Sequence, residues 1–268
     1  MKRVKRNSSP QGLGVRQPSA AFEGSRLPER QRAAALQDAG APDFLLWQLA
    51  DSAFPTGGFA HSAGLEAAWQ HGEVRNRGEL LSFLETNLRQ LGRAALPFVT
   101  TAHDAPERLV ELDELCDAFL SNHVANRASR LQGRAFLTAA ERIFMERGLQ
   151  SVSTLQDEIT SKRTEVRAPF AHFAPVFGAS LRELAVPRDT TIRLFFFNHL
   201  RGLLAAAVRL NITGPMEAQI LQHRLAVLAE EMSARSATCT LDDLAQTAPL
   251  LDLWQGAQDR LYSRLFQT

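Results

Sequence analysis

Thiols are scarce in this chain: only Cys116 and Cys239 are present, far apart and outside any CxxC spacing. Neither a disulfide framework nor a cysteine zinc site is therefore expected, and a reducing, cytoplasmic setting fits best. An excess of one charge sign is missing too. Thirty basic residues against 29 acidic ones leave a net +1, which gives no electrostatic basis for a nucleic-acid or acidic-membrane partner. No apolar run approaches the roughly 18 residues needed to cross a bilayer. The most hydrophobic stretch, residues 194–210, is interrupted by Asn198, His199, Arg201 and Arg209 and reads as a buried helix. There is no G-x-x-x-x-G-K-[ST] to hold a nucleotide and no G-x-S-x-G hydrolase elbow. The seven histidines, at 61, 71, 103, 123, 172, 199 and 223, form no H-x-H, H-E-x-x-H or histidine-cysteine spacing, so a tight metal site made by one chain is not expected.

What is present divides into two parts. Residues 1–42 are rich in Arg, Ser, Pro, Gly and Ala and carry eight Lys or Arg against three acids, which leaves the other 226 residues mildly acidic. Without an apolar period this segment cannot offset its ordering entropy and is expected to be a disordered extension. Its basic start also admits a transit-peptide reading, which Pro10, Pro18 and Pro28 oppose by spoiling a long amphipathic helix.

From residue 43 to 268 the pattern predicts one all-helical domain, a bundle of about eight to ten helices, with no convincing strand alternation. Asn76 followed by Glu79 predicts a helix start, with Leu80, Phe83, Leu84, Leu88 and Leu91 as its apolar stripe through about Leu96. A helix follows Pro106, and a long one is expected from near Asn122 to Arg147, with Ala125, Leu131, Ala135, Phe136 and Ile143 as its stripe and Gly148 as its stop. Asp189 is placed as a cap for residues 190–210. The Gly214-Pro215 break opens the next helix, Thr240 with Asp243 a further one, and residues 250–266 carry a weaker helical pattern.

Residues 44–66 depart most from generic helix text. Pro55, Gly57 and Gly58 force a turn, after which His61 or Ser62 can cap a helix holding Leu65, Glu66 and Trp69. A serine beside a histidine invites a small-enzyme reading, but neighbours at a helix start do not face each other. A capped turn packed on the core and a functional surface are equally compatible with these residues. Gly133 inside the long helix costs about 1 kcal/mol relative to alanine, which implies close approach of another helix. Gln132 beside it is either solvated or fixes the registry of that crossing. Arg201 and Gly202 interrupt an apolar helix, and the guanidinium needs an internal carboxylate or another subunit as partner.

Leu49, Asp51, Ser52, Pro55, Gly57, Phe59, His61, Ser62, Gly64, Leu65 and Glu66 together resemble the amino-terminal signature L-x-D-S-x-x-P-x-G-x-F-x-H-S-x-G-L-E of the urease accessory protein F family. Residues 126–133, ending in Gln132 and Gly133, resemble that family's A-S-x-x-Q-G helix. Residues 172–178, 200–210 with Gly214, Pro215 and Gln219, and 261–266 continue the likeness over nearly all of residues 43–268. Residues 257–259 depart from it, lacking the histidine found just before the terminal motif in many members.

The resemblance implies a non-enzymatic scaffold for urease maturation. Nickel is implied as cargo in transit and GTP as a ligand of the partner GTPase, with no cofactor held tightly by this chain. The implied partners are the GTPase accessory protein G, accessory protein D (also called H), apo-urease and a second copy of the chain. Asp51, Ser52, Pro55, Gly57, Phe59, His61, Ser62, Glu66, Gln132, Gly133 and Arg201 are the expected partner-binding residues, with Tyr262, Arg264 and Phe266 at the carboxy end docking the D protein. Aromatic and arginine side chains near a chain end have the chemistry of interface anchors, which motivates that last assignment independently. A small helical enzyme using His61 and Ser62, or a purely structural helical dimer, are the competing readings.

Overall fold

The computed structural model describes residues 43–144 and 171–268. The amino-terminal extension, the end of the long helix after Phe144 and its Gly148 stop lie outside the described residues. Within them the chain is helical, without strands. The helices are α1 (Asp43–Ala50), α2 (Leu65–Gln70), α3 (Arg77–Ala94), α4 (Leu96–Asp104), α5 (Leu109–Phe119), α6 (His123–Phe144), α7 (Phe173–Glu183), α8 (Arg188–Arg209), α9 (Pro215–Ser236) and α10 (Pro249–Ala257).

Helices α4 and α7 cross at the centre. On α4, Leu96, Phe98, Val99, Thr100, Ala102 and His103 are all buried, as is α7 from Ala174 to Leu181. Gly178 makes the crossing possible: a Cβ there would lie 2.1 Å from the Val99 carbonyl oxygen. Helix α6 closes on the same junction through Gly133, where a Cβ would lie 1.9 Å from the carbonyl oxygen of Ala171. The expected close approach is thus real, but the neighbour is the extended backbone entering α7. Phe136, Phe173, Phe177 and Phe195 fill the space between, with ring centroids 5.4 to 6.1 Å apart. Offset and edge contacts of this kind add to simple burial.

Around this centre α3 lies along α9, and α9 along α8. The predicted stripe of α3 is buried at every position. Asn76 caps it, its Oδ1 accepting from the Gly78 and Glu79 amides, while Glu79 reaches back to the Arg75 amide at 2.6 Å.

Several expectations need correction. The helix expected through Leu96 ends at Ala94, and α4 follows at once as a separate helix. Pro187 rather than Asp189 is the N-cap of α8, leaving Asp189 in the first turn, where its charge suits the helix dipole. Thr240 and Asp243 form their capping box around one 3-10 turn, Leu241–Asp243, and no longer helix grows from it. Leu131 and Ile143 on α6 face outward, and the buried face is Val124, Ala128, Phe136, Leu137, Ala140 and Phe144. The carboxy-terminal helix stops at Ala257 and passes into a 3-10 turn, Gln258–Arg260, after which the amides of Leu265, Phe266 and Gln267 are bound by Glu66 and Ala60.

Candidate partner-docking site

The signature loop begins where α1 ends. Asp51 Oδ1 accepts from the Ala53 amide at 2.9 Å, starting a turn that Gly57 continues with φ of 69°. A 3-10 turn, Gly58–Ala60, follows, and then Ala63 and Gly64 both take positive φ, 50° and 85°. At Gly64 a Cβ would also meet the Gln255 amide of α10 at 3.0 Å, so glycine satisfies two demands there. Gly64 is thereby the N-cap of α2, in place of the expected His61 or Ser62. The buried Ser62 hydroxyl still accepts from the Glu66 amide at 3.4 Å.

Glu66 is buried, yet carries a carboxylate, and its donors come from the far end of the chain. Oε1 accepts from the Leu265 amide at 2.6 Å; Oε2 accepts from the Phe266 amide at 3.1 Å and from Gln258 Nε2 at 2.6 Å. A buried carboxylate is tolerable only with such donors. The tail then runs beside the loop: the Gln267 amide donates to the Ala60 carbonyl at 2.9 Å, and the Ser62 amide to the Thr268 carbonyl at 2.7 Å. His61 Nδ1 pairs with Thr268 Oγ1. Burial, reinforced by the charge of Arg127, pushes His61 down from 6.5 to about 4.

Phe266 is buried, with the Arg209 guanidinium 4.3 Å above its ring centroid, while Arg209 Nη1 donates to the Phe59 carbonyl. The tail thus serves partly as an internal clamp. Tyr262, by contrast, is fully exposed. Arg264 is exposed and donates to Asp259 Oδ1 at 3.1 Å; Arg127 binds the same carboxylate through both oxygens and His123 through one. Hydrogen bonding from Arg127 is the chief reason the Asp259 carboxyl lies below the ordinary carboxylate range.

Arg201 finds its partner within the chain, though not in the form expected. Its Nη1 donates to the Ala50 carbonyl at the end of α1, and Asn198 Nδ2 donates to the Leu49 carbonyl at 3.4 Å. These bonds satisfy terminal helix carbonyls that α1 itself leaves open. Burial pulls the guanidinium down and the nearby Asp51 charge opposes the shift. Asp51, Ser52, Phe59, His61, Gln132 and Arg201 line one cavity of about 350 Å³ between the loop, α6 and α8. Asp51, Ser52, Pro55 and Phe59 are exposed to solvent.

The other two motifs read in the sequence form a second junction. His172 is buried, its amide donates to Asp113 Oδ1 at 2.6 Å, and its ring lies 3.1 Å from Ser129 Oγ and 3.3 Å from Asp117 Oδ1. The Ser129 hydroxyl also accepts from the Phe173 amide at 3.2 Å. Burial pushes His172 from 6.5 to about 4 despite the carboxylate beside it.

These placements bring the loop, the α6 motif, α8 and the tail into one assembly, and the family comparison identifies what kind. The UreF family model matches residues 74–226. A protein of Oryza sativa subsp. indica named urease accessory protein F is 41% identical over 224 residues, covering 83% of this chain and 84% of its own. The chain belongs to the urease accessory protein F family. An Arabidopsis thaliana protein of that name is 38% identical over 222 residues, 82% of this chain and 90% of its own length. Urease accessory protein UreF of Mycobacterium tuberculosis (strain ATCC 25618 / H37Rv) is 30% identical over 224 residues, 83% and 97% respectively.

Family membership makes this chain a urease accessory protein. Among the described residues no helix is long and apolar enough to cross a membrane, and no cluster of three His, Cys, Asp or Glu is positioned to hold a metal ion. Sequence reasoning missed Gln258, Asp259, Arg127 and Arg209 as parts of this site. Each has a partner more than a hundred residues away along the chain, Glu66 for Gln258, Arg127 and Asp259 for each other, and Phe59 for Arg209, and no local pattern marks them.

Proposed function

We propose that this chain is a cytoplasmic, non-catalytic scaffold for urease maturation. It binds accessory protein D/H and the GTPase accessory protein G, and through them modulates GTP-dependent delivery of nickel to apo-urease, acting as a homodimer. The observation that carries this reading is the Glu66 latch. It ties the carboxy-terminal tail, which carries exposed Tyr262 and Arg264, to the signature segment, which carries exposed Phe59.

The same geometry weakens the enzyme reading, since Ser62 Oγ accepts from the Glu66 amide while His61 Nδ1 is directed to Thr268. A scaffold influences a GTPase only by binding one of its states more tightly than the other. Affinity capture of the purified chain with the G and D proteins, with and without GTP and nickel, tests the proposal. Nucleotide-dependent retention of G in the presence of D is expected. Retention that ignores nucleotide favours the purely structural dimer, and turnover of a substrate by the chain alone refutes the scaffold reading.

A further inference from the structure

One wall of the 350 Å³ cavity is a single face of α8: Phe195, Asn198, Gly202, Ala205 and Arg209 recur there at spacings of three and four, with His199 beside them. Gly202 keeps that wall shallow. A Cβ there meets nothing within 4 Å, whereas Gly133 and Gly178 are pressed against backbone. The volume lies at the lower end of the roughly 300 to 1,000 Å³ found for small-molecule sites, and the space is open to solvent rather than sealed.

The chemistry of the lining narrows what can fill it. Phe54, Phe98, Phe173 and Phe195 supply aromatic walls. The charged groups cancel, the guanidinium groups of Arg201 and Arg209 standing against the carboxyls of Asp51 and Asp252. His61 and His199 add no charge at neutral pH, since burial pushes each from 6.5 to about 4. Two polar atoms are then left over. Asn198 gives its Nδ2 to the Leu49 carbonyl, but its Oδ1 is buried without a hydrogen-bond partner among the described residues, and so is His199 Nε2. Buried polar atoms are ordinarily paired, so open ones on a cavity wall mark where an occupant completes the bonding. Water answers this poorly, because an ordered water needs about two to four polar partners and most of the lining is apolar.

We propose that this cavity binds an uncharged small organic molecule, with a flat apolar body among the phenylalanines and a primary amide head at Asn198 and His199. Such a head has N–H groups for Asn198 Oδ1, and either an N–H or a carbonyl for His199 Nε2, whichever tautomer the ring takes. The site goes beyond the scaffold reading and does not depend on it.

Equilibrium dialysis of the full chain against naphthalene-2-carboxamide tests the site, with naphthalene-2-carboxylate and naphthalene as the comparison probes. One amide per chain is expected, and at least tenfold weaker binding of the other two. Gly202→Leu puts a side chain into the open space and is expected to abolish binding with an unchanged helical circular dichroism spectrum. His199→Phe keeps a ring without Nε2 and removes an open buried atom, so it decides the matter even where Gly202→Leu does not fold. It is expected to bring the amide down to the affinity of naphthalene. No amide binding to the wild type overturns the proposal and leaves a hydrated cavity. Binding that persists in both variants lies elsewhere and overturns it too. Naphthalene that binds as well as the amide removes the open polar atoms from recognition, and tighter binding of the carboxylate contradicts the uncharged ligand; either result overturns the proposal. Weakened capture of another accessory protein by Gly202→Leu, without amide binding to the wild type, assigns the cavity to a side chain of that partner instead. Because dialysis involves no partner protein, failure here leaves the scaffold reading standing.

Discussion

Glu66 Oε2 accepts the Phe266 amide at 3.1 Å, so a carboxylate in the signature loop holds backbone that lies 200 residues away in sequence. Three further donors, from Leu265, Gln258 and Gln70, converge on the same side chain. The loop and the tail therefore stand or fall together.

Replacing Glu66 with Ala is expected to destabilise the fold by about 3 kcal/mol, since several charge-assisted hydrogen bonds are lost and buried donors are left open. Hydrogen exchange locates the damage: the amides of Leu265, Phe266 and Ser62 should exchange rapidly while those of α8 stay protected. Uniform protection across the tail in that variant would show that the latch does not hold it.

Tyr262 contributes little to the fold, being fully exposed. Tyr262→Ala is expected to leave the denaturation midpoint unchanged and to weaken binding of the D protein by about 2 kcal/mol, roughly 30-fold, as loss of an aromatic interface anchor does. Titration calorimetry with the purified partner measures this directly. Unaltered affinity removes Tyr262 from the docking surface.

Three glycines separate packing from partner contact. Gly133→Ala and Gly178→Ala each drive a methyl group into backbone and are expected to lose about 3 kcal/mol or more in urea denaturation. Gly202 has nothing within 4 Å of its Cβ position, so Gly202→Ala in the middle of α8 should gain about 0.5 to 1 kcal/mol. A loss of stability there would contradict the open space beside it.

His172 and His199 are both pushed by burial from 6.5 to about 4. The unfolded chain therefore takes up protons that the folded chain refuses as pH falls below 6.5. Their contribution is fully present above pH 6.5 and is lost progressively down to about pH 4, at up to about 1.4 kcal/mol per pH unit for each proton. Melting temperature followed from pH 7.5 to 4 should fall across this window, and His172→Gln should flatten the slope even if it lowers the plateau. A slope unaltered by that variant would assign the acid sensitivity elsewhere.

Where local pattern and tertiary environment agree, the sequence was legible. The α3 stripe from Leu80 to Leu91 and the Asn76 cap show it, as does the Gly214-Pro215 start of α9. Helix α4 was not, because Val99, Thr100 and Thr101 are poor helix formers. The burial of Val99 and Thr100 at the α4–α7 crossing overrides that preference. On α6 the periodic reading chose Leu131 and Ile143, whereas Gly133 sets the buried face by admitting backbone where no side chain fits. At the site, the unusual density of Gly, Pro, Ser and His marked the loop. The identity of its occupant was invisible, since the tail binds mostly through main-chain amides and carbonyls that carry no residue signature.

The latch also has a temporal side. During synthesis Glu66 leaves the ribosome long before residues 265 and 266 exist, and at about 5 to 20 residues per second the interval is roughly 10 to 40 s. Throughout that time α2 has a carboxylate but not the amides that neutralise it, so the nascent loop must stay hydrated and open. Closure of this corner of the bundle is consequently a late event, complete only after translation has reached the tail.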